Sequence, residues 1–81
     1  MKHAFSNRFI RQYHALSPER KAKFDKQLGF LLINLRHPSL RAKKYDEVRD
    51  IWQARVDGRY RFYFQIDCET YKILSIIPHP K

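Results

Sequence analysis

Apolar positions recur along this chain with two periods, helical at first and alternating later. Lys2–Phe5 fits a short edge strand, after which Phe9, Ile10, Tyr13 and Leu16 recur at helical spacing. Ser6 or Asn7 can cap this short first helix by accepting from an unpaired N–H of its first turn. Ser17-Pro18 starts a second helix, because proline at the first helical position has no N–H to leave unsatisfied. Phe24, Leu28, Leu31, Leu32 and Leu35 form its apolar stripe and predict a helix from Pro18 to Arg36, paired with the first as a helical hairpin. His37-Pro38 ends it, since the proline ring disfavours helical backbone in the residue before it. Gly29 lies inside the pattern at a cost of about 1 kcal/mol relative to alanine, which close packing on the other helix or the sheet would offset.

Residues 38–47, PSLRAKKYDE, lack periodicity and read as a basic connector into a strand from Val48 to Val56. Trp52, Ala54 and Val56 alternate with Gln53 and Arg55, and Tyr60, Phe62 and Phe64 alternate with Arg59, Arg61 and Tyr63. Opposite residues of an antiparallel pair share a face, so loop parity decides where the arginines go. A two-residue turn at Asp57-Gly58 would mix Arg61 with Trp52 and Ala54. A three-residue loop, Val56-Asp57-Gly58 with glycine left-handed, pairs Arg55 with Arg59 and Gln53 with Arg61, keeping Trp52, Ala54, Tyr60 and Phe62 together. The same parity across Asp67-Cys68-Glu69 sets Gln65 opposite Tyr71, Tyr63 opposite Ile73 and Arg61 opposite Ser75. Leu74 and Ile76 then face the core, and His79 emerges on the arginine face. The expected fold is α+β: one domain over residues 1–81, with a two-helix hairpin packed on one face of a twisted antiparallel sheet of three to four strands.

Charge sharpens this picture. Seventeen Lys and Arg against eight Asp and Glu give a net charge of +9 and a pI near 10.1, which calls for a polyanionic partner or an acidic protein. Arg20, Lys21, Lys23 and Lys26 are equally well a solvated helix face or part of that surface. The lone Cys68 sits in a polar turn and suits neither a disulfide nor a redox role. The N-terminus has no apolar signal segment and no stretch reaches membrane-spanning length, so a soluble cytoplasmic protein is expected. His3, His14 and His37 lack metal-site spacing, and no HExxH, CxxC or Gly-rich phosphate loop occurs; neither a metal nor a small-molecule cofactor is expected.

The arginine face suits RNA. Cleavage by attack of a ribose 2′-OH needs a group to take that proton, a cation to stabilise the charge on phosphorus, and a proton donor for the leaving oxygen. Arg61, whose fork geometry matches two phosphate oxygens, is the candidate clamp for the scissile phosphate, and Arg55 is the second. His79 titrates near neutral pH and is the candidate general acid or base, with Lys81 or the terminal carboxylate as substitutes. Lys43, Lys44, Arg59 and Gln53 are candidate RNA or ribosome contacts, and Tyr63 and Tyr45 candidate platforms for bases.

The segment Trp52 to Phe64, together with His37-Pro38 and the terminal Pro78-His79-Pro80-Lys81, resembles the RelE/ParE superfamily of toxin–antitoxin toxins, most closely its RelE-like branch. The resemblance implies a ribosome-dependent endoribonuclease that cuts messenger RNA and is neutralised by a cognate antitoxin protein. It implies that Arg61 holds the cleaved phosphate, that Gln53 and Arg55 stand where some relatives carry lysines, and that His79 stands where relatives place a C-terminal acid or base. Asp46 and Glu47 are approximate counterparts of a carboxylate that some relatives use. The alternatives are a ParE-like inhibitor of DNA gyrase, which shares the fold without cutting RNA, and a non-catalytic RNA-binding protein.

Overall fold

A computed structural model of the chain describes residues 2–79. The elements run β1 (Lys2–Phe5), α1 (Asn7–His14), α2 (Pro18–Ile33), β2 (Lys43–Asp46), β3 (Ile51–Arg55), β4 (Tyr60–Asp67) and β5 (Thr70–Pro78). The strands form one sheet in the order β1-β5-β4-β3-β2, antiparallel except where β1 runs parallel to β5. The architecture is the expected α+β arrangement, with five strands instead of three to four. The additional strand, β2, lies inside the stretch read as a structureless connector. It is only four residues long and pairs along one edge, too short for alternation to register. Among the described residues, no helix is long and apolar enough to cross a membrane.

Both helices pack on one face of the sheet. Phe24 of α2 meets Phe9 of α1 at 5.0 Å and Phe62 of β4 edge-on at 5.1 Å, joining the helices to the strands through three aromatic rings. Leu31, Leu40, Ala54, Val56, Phe64, Tyr71, Ile73 and Ile76 complete this core. Ser6 caps α1, accepting from the Phe9 N–H at 3.0 Å, and donates from the same hydroxyl to the Leu74 carbonyl at 2.7 Å.

Helix α2 stops three residues short of the expected Arg36. Asn34 takes extended backbone and its side-chain oxygen accepts from the Arg36 N–H at 2.9 Å, a local alternative to helical bonding that short amides favour. Proline is therefore not what ends it. Gly29 is solvent-facing, and an added Cβ there would meet nothing within 4 Å, so close packing does not explain it. The connector after Asn34 is tied down instead of loose. His37 stacks on Phe30 at 3.9 Å, and its Nδ1 accepts from the Ser39 N–H at 3.1 Å. Gln27, 5% exposed, donates to the Ser39 carbonyl at 3.1 Å and to the Arg55 carbonyl at 2.8 Å, while the Arg55 N–H donates to the Leu40 carbonyl at 2.8 Å.

The register differs from expectation in two places. Arg55 pairs with Arg61 and Gln53 with Tyr63, a slip of two residues that leaves every side chain on its expected face. The strand begins at Ile51, not Val48, and Gly58 has no positive φ, so the left-handed glycine is absent. Asp57 closes the turn instead, its Oδ1 accepting from the N–H groups of Arg59 and Tyr60 at 2.8 and 2.9 Å. The β4–β5 turn is the two-residue Cys68-Glu69, where Cys68 has φ 55°. An irregularity between Tyr63 and Phe64 then restores parity: Phe64 pairs with Ile73, but Tyr63 pairs with Ser75. Tyr71 and Ile73 consequently lie in the core, where the expected register had put them on the open face, and Leu74 takes up the extra residue.

Candidate nucleic-acid interface

The face of the sheet away from the helices carries Lys43 on β2, Gln53 and Arg55 on β3, Arg61 and Tyr63 on β4, and Ser75 and Ile77 on β5. Arg55 and Arg61 stand directly opposite each other, and Ile77 flanks Arg61 on the other side. Like charges at opposing positions of an antiparallel pair destabilise the sheet, so this pairing is a local cost that a bound anion would relieve. His79 follows β5 onto the same surface, held by its own N–H donating to the Arg59 carbonyl at 2.6 Å.

Of these, Lys43, Gln53, Arg55, Arg61 and His79 converge on one cleft of about 190 Å³, which Arg41 and Ala54 also line, whereas Tyr63, Ser75 and Ile77 line a separate hollow with Tyr45. Among the described residues, no carboxylate lines it. Arg41 was not singled out from the sequence. It sits in the connector with φ 47°, a left-handed conformation that non-glycine residues adopt at a cost, and nothing in its neighbours' composition announces it. Only the connector's attachment to Arg55 and Gln27 brings it here.

Arg61 is fixed by its turn. Its Nη1 donates to the carbonyls of Asp57 at 2.6 Å and Tyr60 at 3.0 Å, which orients the guanidinium. Asp57 is itself held, with Oδ2 accepting from Arg20 Nε at 3.0 Å. Burial alone would push its carboxyl up; the Arg59 N–H, the Arg20 guanidinium and the Tyr60 N–H outweigh that and bring it down to about 2. The Arg20 guanidinium also lies over the Tyr60 ring, 4.1 Å from its centroid. A chain of charge-assisted bonds thus runs from α2 through Asp57 to Arg61.

The other expected contacts divide. Lys43 and Arg59 are exposed, Lys43 in the cleft and Arg59 on the turn beside His79 and Pro78. Lys44 is not in the cleft: it opposes Trp52, its Nζ lies 4.9 Å from that ring's centroid and pairs with Asp50. Gln53 and Tyr63 are 5% and 6% exposed, with the Gln53 amide donating to the Tyr63 hydroxyl at 2.9 Å; they form floor, not surface. The exposed ring is Tyr45, edge-on to Tyr63 at 4.9 Å. Asp46 caps its own turn, accepting from the N–H groups of Val48 and Arg49 at 3.0 and 3.1 Å. Lys81 lies outside the described residues.

No protein-family model and no curated protein sequence matches the chain. Solved structures do match it in shape over nearly its whole length. The YoeB/ParE toxin from Agrobacterium tumefaciens superposes with a TM-score of 0.83 at 10% identity, over 99% of this chain and 100% of that one. The YoeB dimer from Staphylococcus aureus gives 0.82 at 16% identity, over 99% and 98%. The archaeal RelE–RelB complex from Pyrococcus horikoshii OT3 gives 0.79 at 17% identity, over 95% and 92%.

Proposed function

We propose, starting from a fold that is that of the RelE and YoeB toxins, that this chain is the toxin of a type II toxin–antitoxin system and a ribosome-dependent messenger RNA endoribonuclease. The observation that carries the proposal is the opposed Arg55 and Arg61 in a cleft that also holds His79 and that no carboxylate lines among the described residues. In the proposed reaction the ribose 2′-oxygen bonds to the adjacent phosphorus as the phosphorus–5′-oxygen bond breaks. Products are a 2′,3′-cyclic phosphate and a 5′-hydroxyl. One proton leaves the 2′-OH and one reaches the departing 5′-oxygen; His79 handles one of these transfers as general acid or base, and solvent water takes or supplies the other proton. Arg61, already oriented through Nη1, offers its remaining N–H groups to the phosphate oxygens, and Arg55 adds the second cation as charge builds on phosphorus. Lys43, Arg41 and Arg59 hold RNA backbone on either side, and the Tyr45 ring offers a face to a base.

Complexes of this fold, including the RelBE toxin–antitoxin complex of E. coli and the YoeB–YefM complex of S. aureus, support a cognate antitoxin as protein partner. The +9 charge favours an acidic one. Induction of the wild-type chain in cells is expected to arrest growth with loss of intact messenger RNA. Arg61→Ala and His79→Ala are each expected to lower that effect by at least about a hundredfold, the ordinary contribution of an acid–base or oxyanion group, with the fold retained by circular dichroism. Undiminished arrest by both folded variants would overturn the proposal, and arrest with intact message but inhibited supercoiling would mark a gyrase-directed toxin.

A further inference from the structure

A second cleft, about 480 Å³ in volume, lies between α2 and the connector. Its cations are Lys23 and Lys26 of α2, one turn apart, with Arg41 and Arg55. Arg41 and Arg55 also line the sheet cleft, so the two hollows share a rim. Asp57, the one carboxylate among the described residues of the lining, is occupied: Arg20 holds it at 3.0 Å, while Lys23 Nζ stands farther off at 3.9 Å with its side chain 57% exposed. The polar wall is also spoken for, since the Ser39 hydroxyl donates to Gln27 Oε1 at 2.9 Å and the Gln27 amide donates to the connector and β3 carbonyls. What remains for a ligand is concentrated positive charge. Among the described residues, no aromatic ring lines this cleft, so they offer no platform for a base.

We infer that this helix cleft binds the sugar–phosphate backbone of the RNA strand held in the sheet cleft, continuing its path over Arg55 and Arg41 to Lys23 and Lys26. The inference rests on the RNA reading given above. Sharing two arginines makes one continuous polyanion the fitting occupant, and the absence of stacking surface makes the grip independent of sequence. It also gives a use to the left-handed backbone of Arg41, which places one guanidinium on the rim common to both clefts. Lys23 and Lys26 of α2, which by pattern alone suit a solvated face and an anion-binding surface equally, become a backbone clamp displaced from the bond that is cut.

Fluorescence anisotropy with 2′-O-methyl RNA, which lacks the nucleophile, tests this across a salt series. For an oligonucleotide of roughly a dozen nucleotides, Lys23→Gln/Lys26→Gln is expected to reduce the slope of log K against log salt by about 1.4, two contacts at about 0.7 each for a single strand. For one of roughly three nucleotides, too short to leave the sheet cleft, the slope is expected to stay as in wild type. Lys2→Gln/Lys21→Gln, an equal loss of charge outside both clefts, is expected to change neither. An unchanged slope on the long strand, or an equal loss on the short strand or in the control, would overturn the inference. Failure of the RNA reading itself has a separate signature, short-strand binding indifferent to Arg61→Ala, and that result would overturn both.

Discussion

Asp57 joins three parts of the molecule through one residue. Its carboxylate binds Arg20 of α2 and closes the β3–β4 turn, while its carbonyl accepts from Arg61 at 2.6 Å. Its side chain is 11% exposed, so little water competes for these bonds. With its carboxyl lowered to about 2 from the ordinary 3.8, the folded state favours the ionised form. The stabilisation is therefore present above pH 4 and is lost as pH falls from about 4 through about 2, amounting to about 2 kcal/mol. Urea denaturation of wild type and Asp57→Asn across that range is expected to show a gap that shrinks with falling pH. A gap independent of pH would contradict the assigned role. Local sequence pattern marks Asp57 only as a turn former, because neither Arg20, 37 positions away, nor the turn geometry is legible in it.

At the scale of elements, period-2 alternation carries faces but not register. A slip of two residues in β3–β4 is invisible to it, so Arg55 and Arg61 were placed on one face correctly and given the wrong partners. The β4–β5 pair contains a turn one residue shorter than expected and a compensating irregularity at Leu74. His79 reached its expected face because the two departures cancel, while Tyr71 and Ile73 did not. Helix α2 is legible from its cap and stripe up to Leu32, and its end is not, since Asn34 competes through its side chain. Gly29 in that helix supports no close approach. Gly29→Ala is expected to raise stability by about 1 kcal/mol through the reduced freedom of the unfolded chain. Thermal denaturation checks this, and a lowered midpoint would contradict the open surroundings seen there.

For the molecule as a whole, the candidate site is assembled from four separate pieces of chain: the connector with β2, the end of β3, the start of β4 and the end of β5. Alternation located the last three. The connector's contribution, Arg41, depends on tertiary ties from Gln27 and Leu40 to Arg55, which no local pattern encodes. Gln53 and Tyr63 lie on the face that alternation gives them but are buried, because Tyr45 on β2 packs edge-on against Tyr63 and the Gln53 amide is bonded to the Tyr63 hydroxyl. In the proposed reaction two opposed arginines and a histidine cleave RNA by internal 2′-OH attack. The most direct measurement is the chemistry of message ends in a translating extract supplied with the purified chain. Cleavage leaving 5′-hydroxyl and 2′,3′-cyclic phosphate ends, lost with Arg61→Ala, is expected; intact message, 5′-phosphate ends, or full-rate cutting by Arg61→Ala would overturn the proposed mechanism.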